Sequence, residues 1–98
     1  MYCKVTSIHA SENHEKIEEF LARSGNLFSF FEACDDYLGH ELLKKEDTEE
    51  YLLVEKWISK EDYEDFISSN QAAFQLLENE LQALVSTAKD LGDYTLIQ

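Results

Sequence analysis

The chain has 98 residues, of which 44% are hydrophobic and none is proline, and its 8 Lys+Arg against 21 Asp+Glu give a formal net charge of −13. This length fits one domain over residues 1–98, and the apolar fraction excludes a disordered acidic tail. Apolar runs such as residues 51–54 are far shorter than a membrane span. The negative charge disfavours phosphate backbones and anionic lipid. We therefore expect a small acidic globular domain that binds neither nucleic acid nor membranes.

The two cysteines, Cys3 and Cys34, show neither CxxC spacing nor a pairing with histidines at metal-ligand spacing. This favours two free thiols, buried or half-buried, in a reducing compartment, and leaves a disulfide between them as the alternative. No metal site is expected. Residues 1–5 lack the apolar segment of a secretory signal, so the expected location is cytoplasmic.

The first part of the chain predicts a strand followed by two helical segments. Residues 2–10 are rich in β-formers, and Ser11 is a good N-cap for a helix. Gly25 is expected to end that helix in a left-handed conformation, and residues 27–31 predict a second short helix. The apolar face of the first helix is predicted from residues at helical spacing, namely Ile17, Phe20, Leu21 and Ser24.

The middle of the chain predicts a β-hairpin and a capped helix. Residues 37–45 and 51–58 are the clearest strand pair, and the acidic segment 46–50 is the loop between them. Ser59, followed three residues later by Asp62, resembles a capping box that opens the next helix.

The last part of the chain has the strongest helical periodicity. Gly92 is expected to cap this helix, and residues 94–97 predict a closing strand. The resulting order is βαββαβ, which predicts an α+β fold of the ferredoxin-like type: a four-stranded antiparallel sheet with helices on one face. The helical periodicity of this last part of the chain consists of apolar residues spaced 3, 4, 3, 4 and 3 residues apart, namely Phe74, Leu77, Leu81, Leu84, Ala88 and Leu91.

The strand over residues 51–58 is largely apolar on both faces, whereas helices are expected to cover only one. The second face therefore needs cover, and a second copy of the sheet supplies it. We expect a homodimer that associates through its sheet faces. The alternative is cover by loops of the same chain.

The hairpin carries a family resemblance. Residues 37–44 (Tyr-Leu-Gly-His-Glu-Leu-Leu-Lys) and 51–59 (Tyr-Leu-Leu-Val-Glu-Lys-Trp-Ile-Ser) resemble the central hairpin of the antibiotic biosynthesis monooxygenase domain. The resemblance implies a dimeric α/β barrel with a ligand cavity between sheet and helices. Many members are understood to oxygenate phenols or quinols without metal or flavin, the substrate anion reacting with dioxygen; others degrade haem, isomerise small metabolites or have no known activity.

The resemblance also implies candidate site residues. Trp57 matches the Trp that often lines the cavity of quinone-forming members, and Tyr63 falls where such members can have a Tyr. Leu53 stands where they place an Asn, and Phe66 is a further expected contact on the helix that follows. Haem-degrading members need an Asn on the first strand and a His on the long helix. This chain has neither, so haem degradation is not expected.

Each aromatic candidate has a structural interpretation as well. Trp57 has two interpretations: it is a substrate platform whose indole N–H reaches a ligand oxygen, or it is a residue of the core. Tyr63 either donates to an oxyanion or fills a helix face.

The histidines are the candidate bases. His40 and His9 lie on the predicted strands, and either is a candidate to ionise a phenol, with a structural histidine as the alternative. His14 is expected to be plain surface.

Glu41 and Glu55 alternate with apolar residues in the hairpin, so they need partners if they are buried. Lys44 and Lys56 on the neighbouring strands are the expected ones, and we favour structural ion pairs over catalysis.

Together these features predict a homodimeric monooxygenase that needs no cofactor and oxidises a small aromatic or quinol. A non-catalytic dimeric binding or interaction protein on the same scaffold is the alternative. An isomerase acting on a small metabolite is a third option that the residues do not rank.

Overall fold

The computed structural model describes residues 1–22 and 25–97 and confirms the ferredoxin-like α+β plan. Each predicted helical crossing is made of two consecutive helices. The elements in chain order are β1 (Tyr2–His9), α1 (His14–Phe20), α2 (Asn26–Phe31), β2 (Tyr37–Lys44), β3 (Glu50–Trp57), α3 (Lys60–Ser69), α4 (Gln71–Leu84) and β4 (Thr87–Thr95).

The four strands form one antiparallel sheet in the order β2-β3-β1-β4. Tyr2 lies opposite Trp57, and Lys4 lies opposite Glu55. Residues directly opposite each other on antiparallel strands point to the same face. The helix-facing side of the two central strands therefore carries Tyr2, Lys4, Thr6 and Ile8 together with Tyr51, Leu53, Glu55 and Trp57.

The core lies between this face and the helices. Along β3 the helix-facing residues are all buried, whereas Leu52, Val54 and Lys56 on the other side are half-buried. The two faces therefore differ in solvent access as the antiparallel plan requires. The largest fully buried side chains are Trp57, Phe28, Phe31, Ile8, Ile17 and Leu21.

The predicted start and end of the first helix are both wrong. The helix begins at His14 after Asn13, which has φ 66°. The Ser11 amide donates to the Ser86 hydroxyl 3.4 Å away instead of starting a helix. The helix ends at Phe20, so part of its predicted face lies beyond it, and Ser24 lies outside the described residues.

Gly25 is needed for a different reason from the predicted one. It precedes α2 with an ordinary φ of −74°. A Cβ atom there would lie 2.3 Å from the Phe20 carbonyl oxygen, so close approach of two backbone segments requires the glycine. The short second helix itself is confirmed as α2.

The capped start of α3 is confirmed. The Asp62 amide donates to the Ser59 hydroxyl oxygen over 3.1 Å, and that hydroxyl donates to the Asp62 carboxylate over 2.7 Å. The cap satisfies one of the free amides of the first turn.

The predicted length of the last helix is wrong. Helix α4 ends at Leu84, and Ala88 and Leu91 belong to β4. That strand pairs with all of β1, from Thr87 opposite His9 to Thr95 opposite Tyr2. A helix running to residue 91 would leave that edge of β1 without hydrogen-bond partners, which is costly in a folded chain.

Gly92 is a strand residue and not a helix cap. The register between β1 and β4 shifts between Val5 and Thr6, which leaves one extra residue on β4. Gly92 has φ 107° at this bulge, and its amide donates to Asp90 Oδ1 over 2.8 Å. A positive φ beside a bulge favours glycine.

The cysteines are free as predicted, with Cys3 buried and Cys34 half-buried. Over the described ranges, no helix is both long and apolar enough to cross a membrane.

Candidate functional site

A small cavity lies between the helix-facing side of the sheet and helices α2, α3 and α4. Its volume is about 60 Å³. Its apolar part is formed mainly by α2 and α4, and its polar groups come from β1, β3, α3 and α4. The lining residues are Lys4, Thr6, Leu27, Phe31, Leu53, Glu55, Tyr63, Phe74, Leu77, Glu78, Leu81 and Ala88.

Glu55 is the buried charged residue of this cavity, with 5% of its surface exposed. Its Oε1 atom has no hydrogen-bond partner among the described residues. The predicted ion pair is absent for this residue, because Lys56 pairs with Glu41 at 3.7 Å on the opposite face and Lys44 lies over the Tyr51 ring. A buried polar atom left unpaired costs about 1–3 kcal/mol. Glu55 is therefore a candidate site residue, and it forms no ion pair with Lys44 or Lys56.

Burial raises the pKa of Glu55 to about 8. Glu78 and Asp90 raise it further by repulsion, whereas the Lys4 ammonium and the Trp57 indole N–H lower it. The Lys4 ammonium does not fully offset the effect of burial on the pKa of Glu55, since Lys4 also pairs with Asp90 at 3.3 Å. The carboxyl is therefore largely protonated at neutral pH and ionises just above it, which suits a proton-transfer group.

Trp57 lies on the same side of β3, two residues beyond Glu55, and is fully buried. Its ring packs edge-on against Phe31 and Tyr63, with centroids 5.2 and 5.1 Å away. Its Nε1 atom also lacks a hydrogen-bond partner within the described part of the chain. Its N–H group nevertheless lies close enough to the Glu55 carboxyl to lower the pKa of that group, so the two polar groups are neighbours on the strand.

Tyr63 reaches the cavity from α3. Burial and the neighbouring Glu55 raise its pKa above the usual value for tyrosine. The Lys4 ammonium lies 5.4 Å from the centre of its ring. Tyr63 therefore stays neutral across the physiological range, where its hydroxyl is a hydrogen-bond donor and not a base.

His40 lies on the helix-facing side of β2, opposite Glu55 in the strand ladder, and is already hydrogen-bonded. Its Nε2 is 2.9 Å from the Leu21 carbonyl, and its Nδ1 is 2.8 Å from the Tyr37 hydroxyl. The ring also stacks on Phe28 with an interplanar angle of 8°. A carbonyl oxygen can only accept, so Nε2 donates to it, and His40 joins β2 to α2 and to the segment after α1.

The other two histidines lie away from the cavity. His9 is at the end of β1, 46% exposed, and its Nε2 is 3.8 Å from the Glu49 carboxylate. His14 is not the plain surface residue expected, because its Nδ1 is 2.8 Å from the Tyr51 hydroxyl, which donates to Glu18 over 2.6 Å. This contact ties α1 to β3.

Of the predicted substrate contacts, Leu53 and Tyr63 line the cavity and Trp57 borders it through the ring of Tyr63. Phe66 packs against the rings of Trp57 and Phe31 and is not among the lining residues. Sequence reasoning favoured an ion pair over catalysis for Glu55 and therefore left this residue out of the candidate site. The available signal was its position two residues before Trp57, which puts both side chains on one face of a strand.

A larger groove of about 480 Å³ runs between α1 and the end of α4. Apart from Phe20, its lining residues are exposed or half-buried, so it is an open surface feature. The enclosed site with buried polar groups is the smaller one beneath α4. No group of three or more His, Cys, Asp or Glu side chains in residues 1–22 and 25–97 is arranged to hold a metal ion.

The sequence pattern of the family described as "Antibiotic biosynthesis monooxygenase" matches residues 1–75. The chain belongs to the antibiotic biosynthesis monooxygenase family. The match includes the hairpin, α3 and the first turn of α4. No curated protein matches the chain.

Solved structures in the antibiotic biosynthesis monooxygenase family share this fold. SnoaB, a cofactor-independent oxygenase from Streptomyces nogalater, is 21% identical, with a TM-score of 0.81 over 99% of this chain and 93% of that one. A monooxygenase from the gene ActVA-Orf6 of Streptomyces coelicolor, solved with the ligand nanaomycin D, is 14% identical. Its TM-score is 0.79 over 99% of this chain and 88% of that one.

Proposed function

We propose that this protein is a cofactor-independent monooxygenase that oxidises a small phenol or quinol in the cavity beneath α4. Membership of the antibiotic biosynthesis monooxygenase family supports the class of reaction. The observation that carries the proposal for this chain is the buried carboxyl of Glu55, which lies next to the Trp57 indole in a cavity with an apolar side formed by α2 and α4, and whose Oε1 makes no regular hydrogen bond in the described residues. A ligand site is expected to combine an apolar lining with a few such polar groups.

In this reaction the substrate is first ionised, and its anion supplies the electrons that reduce dioxygen. Removing the phenolic proton requires a base inside the cavity, and stabilising the anion requires donors beside it. The predicted bases His40 and His9 remain candidates by type, but the bonds of His40 and the exposed position of His9 favour Glu55. Trp57, Tyr63 and Lys4 provide the donors.

The protein is also proposed to work as a homodimer that associates through the side of the sheet facing away from the helices. This face exposes large apolar residues: Leu43 is 51% exposed, Tyr94 is 49% exposed and Leu91 is 39% exposed. Leu43, Leu52 and Leu91 also border a shallow hollow of about 360 Å³. An exposed apolar face of this kind marks an interaction surface.

Oxygen uptake by purified protein, freed of metal with chelator, tests the proposed reaction. We expect uptake above the rate of autoxidation with at least one member of a panel of single-ring phenols and quinols, and products carrying one added oxygen atom. Trp57→Phe, which keeps a ring but removes the donor, is the matched variant and is expected to lower kcat. Absence of uptake across the panel would contradict the proposal.

The alternative is a non-catalytic binding protein on the same scaffold, and two observations favour it. The cavity of about 60 Å³ holds a few water molecules, whereas ligand pockets usually have roughly 300–1,000 Å³. Leu53 also replaces the Asn that the resemblance implies. Under this alternative a phenol binds at Trp57 but no oxygen is consumed, so binding and oxygen uptake measured on the same sample separate the two functions.

A further inference from the structure

The bulge in β4 places two carboxylates on the same side of the sheet. On a regular strand, side chains three residues apart point to opposite faces. The extra residue at the bulge changes this, because Asp93 lies opposite Lys4 and Asp90 lies opposite Thr6, and both of these β1 residues face the helices. Bulges often redirect a side chain beside a functional site. Asp90 and Asp93 therefore both lie on the side of the sheet that carries the cavity.

Asp90 is held by the backbone of its own strand and pairs with Lys4. Its Oδ1 atom accepts a hydrogen bond from the Gly92 amide over 2.8 Å, and its Oδ2 atom is 3.3 Å from the Lys4 ammonium. Asp93 instead accepts a hydrogen bond from the Tyr2 hydroxyl over 2.6 Å. Of the two carboxylates, Asp90 is therefore the partner of Lys4.

Lys4 has a second carboxyl within reach. It lies directly opposite Glu55 on the neighbouring strand, where the Cβ atoms of such a pair are about 4.5–5.5 Å apart. Both residues line the cavity. The two carboxyls differ in solvent access, because the Asp90 side chain is 60% exposed and Glu55 is 5% exposed. The flexible four-carbon stem of lysine allows the ammonium to reach either carboxyl by side-chain rotation alone.

In its observed position the ammonium lies at the side of the cavity nearest to solvent. Ala88 of β4 is the exposed residue of the lining, and Lys4 and Glu78 beside it are half-buried. The cavity therefore comes closest to solvent between β4 and α4. We call this place, formed by Lys4, Glu78 and Ala88, the mouth of the cavity.

We infer that the Lys4 ammonium moves between two carboxyl partners, Asp90 at the mouth and Glu55 inside the cavity, and that Asp90 is the residue that positions it. While Glu55 is protonated, the ammonium pairs with Asp90, as in the structure. When Glu55 ionises, its O–H bond breaks, the electron pair stays on the carboxylate oxygen, and the proton passes to water at the mouth. The ammonium then turns inward and pairs with the buried carboxylate, which a buried charge requires.

The charge on Glu55 determines the position of Lys4, so the movement depends on pH. Burial raises the pKa of Glu55 to about 8, and the Lys4 ammonium opposes this rise. Below that pH the outer position of the ammonium is favoured, and above it the inner position is. The other charged and titratable groups that face Glu55 or Lys4 are Tyr2 from β1, His40 from β2, Tyr63 from α3, Glu78 from α4, and Asp90 and Asp93 from β4.

The single Trp of the chain reports the ionisation of Glu55. Trp57 gives one indole N–H signal in a ¹⁵N-labelled sample, and this group lies close enough to Glu55 to affect its pKa. We expect the signal to titrate with a midpoint near pH 8 in the wild type. Asp90→Asn keeps an acceptor for the Gly92 amide but frees Lys4 to pair with Glu55. It should lower the midpoint by about one unit, a tenfold loss of proton affinity, and Lys4→Met should raise the midpoint.

A double variant separates positioning from the simple loss of a charge. Because Asp90 acts through Lys4, adding Asp90→Asn to Lys4→Met should move the midpoint by less than about 0.3 units. Asp93→Asn removes the same charge from the same side of β4 and leaves the pair of Lys4 and Asp90 in place. This matched control should also move the midpoint by less than about 0.3 units. Equal shifts from Asp90→Asn with and without Lys4, or equal shifts from Asp90→Asn and Asp93→Asn, would overturn the inference.

A measurement on the wild type stands even if a variant does not fold. The nuclear Overhauser effect between the ε-methylene protons of Lys4 and the indole N–H of Trp57 should strengthen from pH 6.5 to pH 9, as the ammonium moves from Asp90 towards Glu55. An effect that stays constant while Glu55 titrates would show that Lys4 keeps one position and would contradict the inference. Neither readout involves a phenol or oxygen, so the outcome is independent of the proposed monooxygenase reaction.

Discussion

Among single residues, Glu55 is a carboxyl whose ionisation the fold opposes. Its pKa rises from the ordinary 4.5 to about 8 because the side chain is buried. The folded state therefore holds a proton that the unfolded state releases between these two values. Under linkage, the contribution of Glu55 to stability is present below about pH 4.5 and is lost as pH rises through 8.

Glu55→Gln should remove this loss. We expect the variant to gain stability relative to the wild type as pH rises from 5 to 8.5, by on the order of 2–4 kcal/mol at the upper end. Urea unfolding across this range measures the difference. Glu41→Gln, at an exposed position, should follow the wild-type curve, and a constant offset between Glu55→Gln and the wild type at all pH values would contradict the raised pKa.

At this scale the sequence predicts some roles better than others. Alternation along residues 51–58 was enough to place Leu53 and Trp57 on one face. In the structure Leu53 lines the cavity with Tyr63, and Trp57 packs against the ring of Tyr63. The bonding of His40 was not predictable, because its partner is the Leu21 carbonyl, 19 residues away in an irregular segment. From the sequence alone, a histidine on a strand resembles a catalytic base, because the ordinary pKa of histidine lies near neutrality.

At the scale of helices and strands, the ends were harder to predict than the elements. The start of α3 was correct because Ser59 and Asp62 encode it locally. The end of α4 was wrong because it depends on pairing with β1, at the other end of the chain. Beyond Leu84 the helical spacing is carried by Ala88 and Leu91 alone. Pairing with β1 overrides this weak helical pattern, so the segment becomes a strand.

Ser59→Ala should destabilise the protein by about 1 kcal/mol, since the Asp62 amide loses its acceptor. Thermal or urea unfolding measures the change. Ser68→Ala, an exposed position at the other end of the same helix, is the matched control and should change stability by less than about 0.5 kcal/mol. Equal effects of the two substitutions would argue against the cap.

Gly92→Ala tests the bulge in β4. Open space surrounds a Cβ atom at this position, so the cost comes from the φ of 107° and not from a clash. We expect a loss of about 1–3 kcal/mol in the free energy of unfolding. Lys89→Ala in the same strand is the control. A loss no larger than that of the control would show that the strand changes its register without strain.

At the scale of the whole molecule, the charge of −13 and the apolar sheet face act in opposite directions. In the proposed dimer, two chains attract through the face that carries Leu43 and Leu91, and they repel through their like charges. Salt screens the repulsion while leaving the apolar contact intact. The proposed dimer should therefore tighten as ionic strength rises.

Sedimentation at micromolar concentration is expected to give a dimer mass for the wild type, with weaker association at low salt. Leu43→Glu on the sheet face should give monomers. Leu76 is 71% exposed on the outer side of α4, and Leu76→Glu changes the charge and polarity of the chain by the same amount as Leu43→Glu does. It should leave the dimer intact. A monomeric wild type at high salt, or dissociation by both variants alike, would contradict association through the sheet.

The cavity beneath α4 as the ligand site is the central claim, and the position of a bound phenol tests it most directly. Nuclear Overhauser effects between the ring protons of phenol and the methyl groups of the protein locate the ring at pH 8.5. We predict contacts to Leu53 and Leu77, which line the cavity, and none to Leu43 and Leu52 on the opposite face of the sheet. Contacts confined to Leu43 and Leu52 would contradict the claim.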